Sequence, residues 1–235
     1  MGDQSGEMAV PQGGGARTGD AVAARVLGLL KARRAVPGER LGDERQLAAE
    51  LGVSRAGLRD ALLLLRAAGV LELRAGSKGG VFYRPQPVRA LAGVLESHAG
   101  LLGLTADQVK EAWVEVEAVL ASLAAWRADE GQKEAVLRAA GRGALRPGRP
   151  GHTRQSDEFH EAVAAAARSP VLALVSDALG ELDARAGAAR RRQSTDVSVV
   201  YSHAHIADAI RAGDDREAAR RIRFHLGETR KREEQ

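Results

Sequence analysis

The stretch Asp43–Ala67, DERQLAAELGVSRAGLRDALLLLRA, constrains the fold most, because it reads as two helices joined by a tight turn. Asp43 is placed to cap the first helix, whose apolar residues Leu47, Ala48 and Leu51 fall at helical spacing. Gly52 then ends it by tolerating positive φ. Ser54 can cap the second helix, in which Leu58, Ala61, Leu62 and Leu65 mark an inner face while Arg55, Ala56 and Arg59 lie outward on the first turns. In a helix-turn-helix those first turns enter the major groove, where arginine pairs with guanine O6 and N7 through two parallel hydrogen bonds. The second helix therefore has the chemistry of a DNA reader.

The flanking sequence completes a small domain. Thr18 or Asp20 can cap a helix running to Arg34 with Val22, Val26, Leu29 and Leu30 on one face, placed to back the reader. Val36-Pro37-Gly38-Glu39-Arg40-Leu41 reads as a turn into the helix pair. After Gly69, Val70–Arg74 alternates as a half-buried strand, Ala75–Gly80 is a flexible turn, and Val81–Tyr83 returns as the partner strand. The expectation is a winged helix: three helices and a β-hairpin wing, with Gly76 and Lys78 able to approach phosphates or the minor groove. Residues 84–87, RPQP, form a stiff linker, since two prolines discourage helix and central strand alike.

From residue 88 to 235 the pattern is almost entirely helical and predicts an all-α bundle. Thr105 with Gln108 spells a capping box opening a long helix with Val109, Trp113, Val116, Leu120 and Leu123 on one stripe. Further helices are expected over Glu130–Ala140, Ser156–Ala167, Pro170–Arg190, Asp196–Ala212 and Asp215–Arg232. Gly141–Gly151, GRGALRPGRPG, reads as a loop, and residues 1–17 as a tail without a fold of its own. The fold class is thus mainly α, in two domains, 18–83 and 88–235.

Composition enters as a filter. The absence of cysteine excludes a disulfide framework and a thiolate metal site. No apolar run is long enough to span a bilayer and no signal peptide opens the chain, which predicts a cytoplasmic protein without a membrane partner. The net charge of +4 favours an anionic partner. Arginine far outnumbers lysine, and alanine and glycine abound, which points first to a coding bias toward G and C.

The PGERL turn, followed by ERQLAAELGVSRAGLRDALLLLRAAGVLELRAGSKGGVF, resembles the GntR family of bacterial transcriptional regulators. The markers EVEAVLASLAA, DEFHEAV, HAHIADAIRAGD and RIRFHL make the second domain similar to the helical ligand-binding (FCD-type) domain of the FadR subfamily. The resemblance implies DNA contacts at Arg45, Ser54, Arg55 and Arg59, with Gly76 at the wing tip. It also implies a divalent metal held by His160, His203 and His225, in a family whose fourth ligand is an Asp four residues before the first His. Ser156 stands there, and Asp157 lies one residue on, near the same helical face. Three imidazoles suit Zn or Ni rather than Ca or Mg. Trp113 stands where relatives often carry an arginine that pairs with a carboxylate effector.

These readings converge on a homodimeric regulator, a repressor, that binds a palindromic double-stranded operator under control of a small-molecule effector; the resemblance implies a carboxylate, and Trp113 leaves open a less acidic effector, another arginine or a reshaped pocket. Two rivals differ in kind: a winged-helix protein whose helical domain senses nothing, and a metal-dependent hydrolase with Asp157 or Glu161 as general base. No catalytic residue is assigned, and the expectation is that the chain is not an enzyme.

Overall fold

The computed structural model describes residues 18–76, 78–143, 152–186 and 197–233, and the side chains of 19–76, 78–141, 158–186 and 203–227. The expected tail 1–17 and residues 144–151 of the expected loop lie outside the described residues. Two compact units divide the chain, residues 1–90 and 91–235.

In the first unit, α1 (Thr18–Arg33) packs against α3 (Arg55–Ala67), and α2 (Glu44–Leu51) precedes α3 across the turn. Asp43 closes a reciprocal capping box, accepting from the Gln46 backbone N–H at 2.8 Å while its own N–H donates to Gln46 Oε1 at 3.0 Å. Gly52 ends α2 in the left-handed region at φ 59°. Ser54 caps α3, its Oγ accepting from the Gly57 N–H at 3.1 Å. Leu47, Leu58, Leu62, Val26 and Val81 are fully enclosed at the centre of this unit's core.

The wing is larger than its sequence suggested. β2 (Leu71–Arg74) pairs antiparallel with β3 (Gly80–Tyr83), with Leu71 opposite Tyr83 and Arg74 opposite Gly80. A further strand, β1 (Arg40–Gly42), pairs with the other edge of β3 to give the order β1-β3-β2. The sequence expectation of a turn over Val36–Leu41 is corrected at Arg40 and Leu41. Three residues are too few to show alternation, and the strand exists only through pairing with β3, some forty positions on. Gly69, at φ 68°, is required where it is: a Cβ there would come within 2.7 Å of Gln86 O and Ala90 Cβ.

Beyond the linker, α4 (Pro87–Leu102) is already helical at Pro87, in keeping with proline's tolerance in a first turn. The second unit is a helical bundle of α5 (Ala106–Arg127), α6 (Glu130–Gly143), α7 (His152–Ala166), α8 (Pro170–Ala186), α9 (Val197–Ala212) and α10 (Asp215–Glu233). α6 runs three residues past its expected end, and α7 starts four residues before its expected start. The Thr105–Gln108 capping box forms as the sequence predicts. α5 is the spine: α7, α8, α9 and α10 all pack on it, and its Ala118, Leu120, Ala121 and Ala124 are fully enclosed. Small residues along its length let the surrounding helices approach closely. No helix among the described residues is long and apolar enough to cross a membrane.

Candidate functional site

The first candidate surface is the outer side of the helix pair. Arg45, Ser54, Arg55 and Arg59 are all exposed, whereas Leu58, Ala61 and Leu62 on the opposite side of α3 are buried. That division anchors the helix and leaves its first turns free to meet a ligand. Arg59 is held by an ion pair, Nε to Glu44 Oε2 at 2.7 Å, on α2. Arg45 and Arg55 make no ion pair among the described residues. At the wing tip Gly76 adopts φ 95° and accepts a turn hydrogen bond from the Gly79 N–H at 2.9 Å, with Lys78 exposed beside it. At the wing's base, Arg74 and Arg84 both bond Glu72 and hold its carboxyl down at about 2.

The second candidate site is buried in the bundle. His160 on α7, His203 on α9 and His225 on α10 each offer a ring nitrogen, and these atoms lie within 4.8 Å of one another. His203 Nε2 and His225 Nε2 are 3.0 Å apart. Ligands tetrahedrally disposed around zinc stand about 3.3 Å apart, given Zn–N bonds of about 2.0–2.1 Å, so the His203–His225 pair would part slightly while any wider pair closes in. Phe159 stacks on the His203 ring, with centroids 4.1 Å apart, and fixes its plane.

Electrostatics favour the neutral, ligating form of His203 and His225. Burial first, and then the charge of neighbouring His225 and His160, push the His203 pKa down to about 2. Burial and His160 push His225 down to about 3. His160 Nε2 is buried and has no hydrogen-bond partner among the described residues, a rare condition that a metal ion would relieve. Two neutral imidazoles beside a third with an orphaned nitrogen thus fit a borderline-soft divalent ion.

Two neighbours of this cluster escaped the sequence reading. Glu117 on α5 is only 3% exposed, and its Oε2 lies 2.6 Å from His160 Nδ1. Ser176 on α8 donates to Glu117 Oε1 at 2.5 Å, and Trp113 Nε1 donates to Ser176 Oγ at 3.2 Å. Burial works against the Glu117 charge, but the His160 ring and the hydrogen bonds of His160, Ser176 and Trp113 together hold the carboxyl below its ordinary value. The signal was an acid inside the apolar stripe of α5, four residues after Trp113. Glu117, not Glu161, is therefore the buried carboxylate beside the histidines; Glu161 is exposed. The side chains of Ser156 and Asp157 lie outside the described residues. His205, two residues from His203, is exposed and apart from the cluster.

A family model for bacterial regulatory proteins of the gntR family matches residues 18–81, and one for the FCD domain matches residues 108–228. An Escherichia coli (strain K12) protein named as an L-lactate dehydrogenase operon regulatory protein is 33% identical over 220 residues, spanning 89% of this chain and 84% of that protein. The chain belongs to the GntR family. A Shigella flexneri protein of the same name matches with the same identity and coverage. This GntR regulator is of the FadR-like kind, joining a winged helix-turn-helix to an FCD effector-binding domain. The solved structure of Streptococcus agalactiae GntR superimposes with a TM-score of 0.70, covering 91% of this chain and 99% of that one at 22% identity, which supports the fold.

Proposed function

We propose that this GntR regulator is a cytoplasmic homodimeric repressor whose two winged helices occupy the half-sites of a palindromic operator. In this reading Arg55 and Arg59 contact base edges in the major groove, and Arg45 reaches in from beside them. Ser54 and the N-terminus of α3 face a phosphate, while Gly76 and Lys78 carry the wing to the backbone or minor groove. The observation that carries it is the two-sided character of α3: a fully buried Leu58 and Ala61 on one side, exposed Arg55 and Arg59 on the other.

In the same proposal residues 18–83 bind DNA, and residues 88–235 dimerise and take a small-molecule effector together with Zn or Ni. His160, His203 and His225 hold the ion, and Asp157, three residues before His160 on α7, is the candidate fourth ligand. When bound, the metal supplies a localised positive charge that suits an anionic effector. That matters because Trp113 carries no charge to offer an effector carboxylate, and its N–H is already engaged by Ser176. Lactate is the first candidate, since a relative's name ties it to an L-lactate dehydrogenase operon. The exposed Val119, Trp126 and Phe224 on α5 and α10 supply apolar surface for a second copy. Effector binding would shift the spacing of the two reader helices, which must match half-sites about one helical turn apart.

The test combines selection of binding sites from random DNA with affinity measurement under metal and a panel of small carboxylates. An enriched palindrome whose affinity falls on addition of one ligand supports the reading. Affinity unchanged by every ligand and by metal removal would contradict the sensing part, and absence of any enriched motif would contradict the DNA part.

A further inference from the structure

The direction of hydrogen bonding around Glu117 follows from one group that can only donate. The Trp113 indole has an N–H and no acceptor, so Ser176 Oγ, 3.2 Å away, must accept there and turn its own hydrogen to Glu117 Oε1 at 2.5 Å. Glu117 Oε2 then faces His160 Nδ1 at 2.6 Å. With Oε1 taking the Ser176 hydrogen, Oε2 is placed to accept from the ring, so in the neutral imidazole the proton sits on Nδ1. That leaves a lone pair on His160 Nε2, the buried nitrogen without a partner among the described residues, in a residue that clusters with His203 and His225.

We propose that Glu117 is a positioning residue that fixes the His160 tautomer, so that Nε2 presents its lone pair to a metal shared with His203 and His225, and that Ser176 and Trp113 hold Glu117 in place. This rests on the metal reading above and adds residues that reading does not contain. Glu117 is not itself the missing ligand in this arrangement, because both its oxygens are occupied by protein donors. The chain ties three helices, α5, α7 and α8, to the orientation of one imidazole. Carboxylate-to-histidine contacts of this kind raise ligand basicity and stop ring rotation.

The test compares wild type with Glu117→Ala, Glu117→Gln and Ser176→Ala in the full-length protein. Long-range proton–nitrogen correlation NMR on the metal-free protein reads the His160 tautomer, and competition with a chromophoric chelator reads zinc affinity. Wild type should show Nδ1–H. Glu117→Ala should lose that preference and about 10- to 100-fold in zinc affinity, the range for deleting such a partner. Glu117→Gln, whose carbonyl can still accept from Nδ1–H, should stay near wild type in both readouts, and Ser176→Ala should fall between. An Nε2–H tautomer in wild type, or zinc affinity unchanged in a folded Glu117→Ala protein, would overturn the proposal. Nδ1–H in a wild type that binds no zinc would sink the metal reading while upholding the tautomer assignment. If Glu117→Ala fails to fold, the wild-type tautomer and the Glu117→Gln and Ser176→Ala affinities still decide it.

Discussion

The reader surface and the histidine cluster are built on opposite principles. Arg45, Arg55 and Arg59 sit in water on a helix pair whose stability comes from the leucines behind them. The surface charges add little to the fold, since exposed ion pairs are worth about 0–1 kcal/mol. His203, His225 and Glu117 are buried among apolar helices with His160 half-buried beside them, where an unsatisfied polar atom is costly. One site can thus be changed without disturbing the fold, whereas the other cannot be separated from the packing that forms it.

The sharpest break in that comparison comes from His225→Ala. Removing one of three ring ligands should abolish stoichiometric zinc binding by elemental analysis, while affinity for the selected operator in the absence of effector stays near wild type. Zinc retained at full stoichiometry would mean the cluster is not the metal site.

Next in size, Leu58→Ala, at a position with no exposure, should destabilise the winged helix by about 2–5 kcal/mol. Arg55→Ala on the same helix should leave the unfolding midpoint almost unchanged. Equal losses from both would erase the distinction between a structural inner face and a functional outer one.

A pH series distinguishes the two regions more finely. The folded pKa values of His203 and His225, about 2 and about 3, lie below the unfolded value, which is about 6.5. The unfolded chain therefore takes up more protons as the solution is acidified, and the histidines' contribution is complete above about pH 6.5 and lost as pH falls toward the folded values. In metal-free protein the urea midpoint of the helical unit should drop between neutral pH and about pH 5. A midpoint that rises over the same interval would contradict the neutral assignment. Glu72, depressed to about 2 on the exposed wing, contributes little in that interval, because its stabilisation is lost mainly below the ordinary carboxyl range.

The smallest effect belongs to Glu44→Gln. It frees Arg59 from its ion pair and should strengthen operator binding only modestly, because a solvent-exposed pair is screened by water and salt. Weaker binding would show that Glu44 orients Arg59 for DNA instead of competing with it.

How far each region could be read from sequence follows from the same contrast. Asp43, Gly52 and Ser54 act within three or four residues of themselves, so the helix pair was legible from caps and spacing. β1 was not, because Arg40 and Gly42 become a strand only by meeting Phe82 and Val81. The three histidines were found through the family resemblance, but Glu117 and Ser176 were missed: Glu117 meets His160 across 43 positions and Ser176 across 59. Trp113 was placed correctly on the α5 stripe, yet its N–H has a partner on α8 that no local pattern announces.

The central claim is most directly tested by measuring, for the full-length protein, the ratio of affinities for its selected operator and for random duplex after Arg55→Ala and Arg59→Ala together. Since each guanidinium paired with a guanine is worth about 1–3 kcal/mol of discrimination, loss of both should lower the ratio by roughly thirtyfold to more than ten-thousandfold. Helicity and zinc content should be unchanged. A double variant that still distinguishes operator from random DNA as well as wild type does would contradict the account.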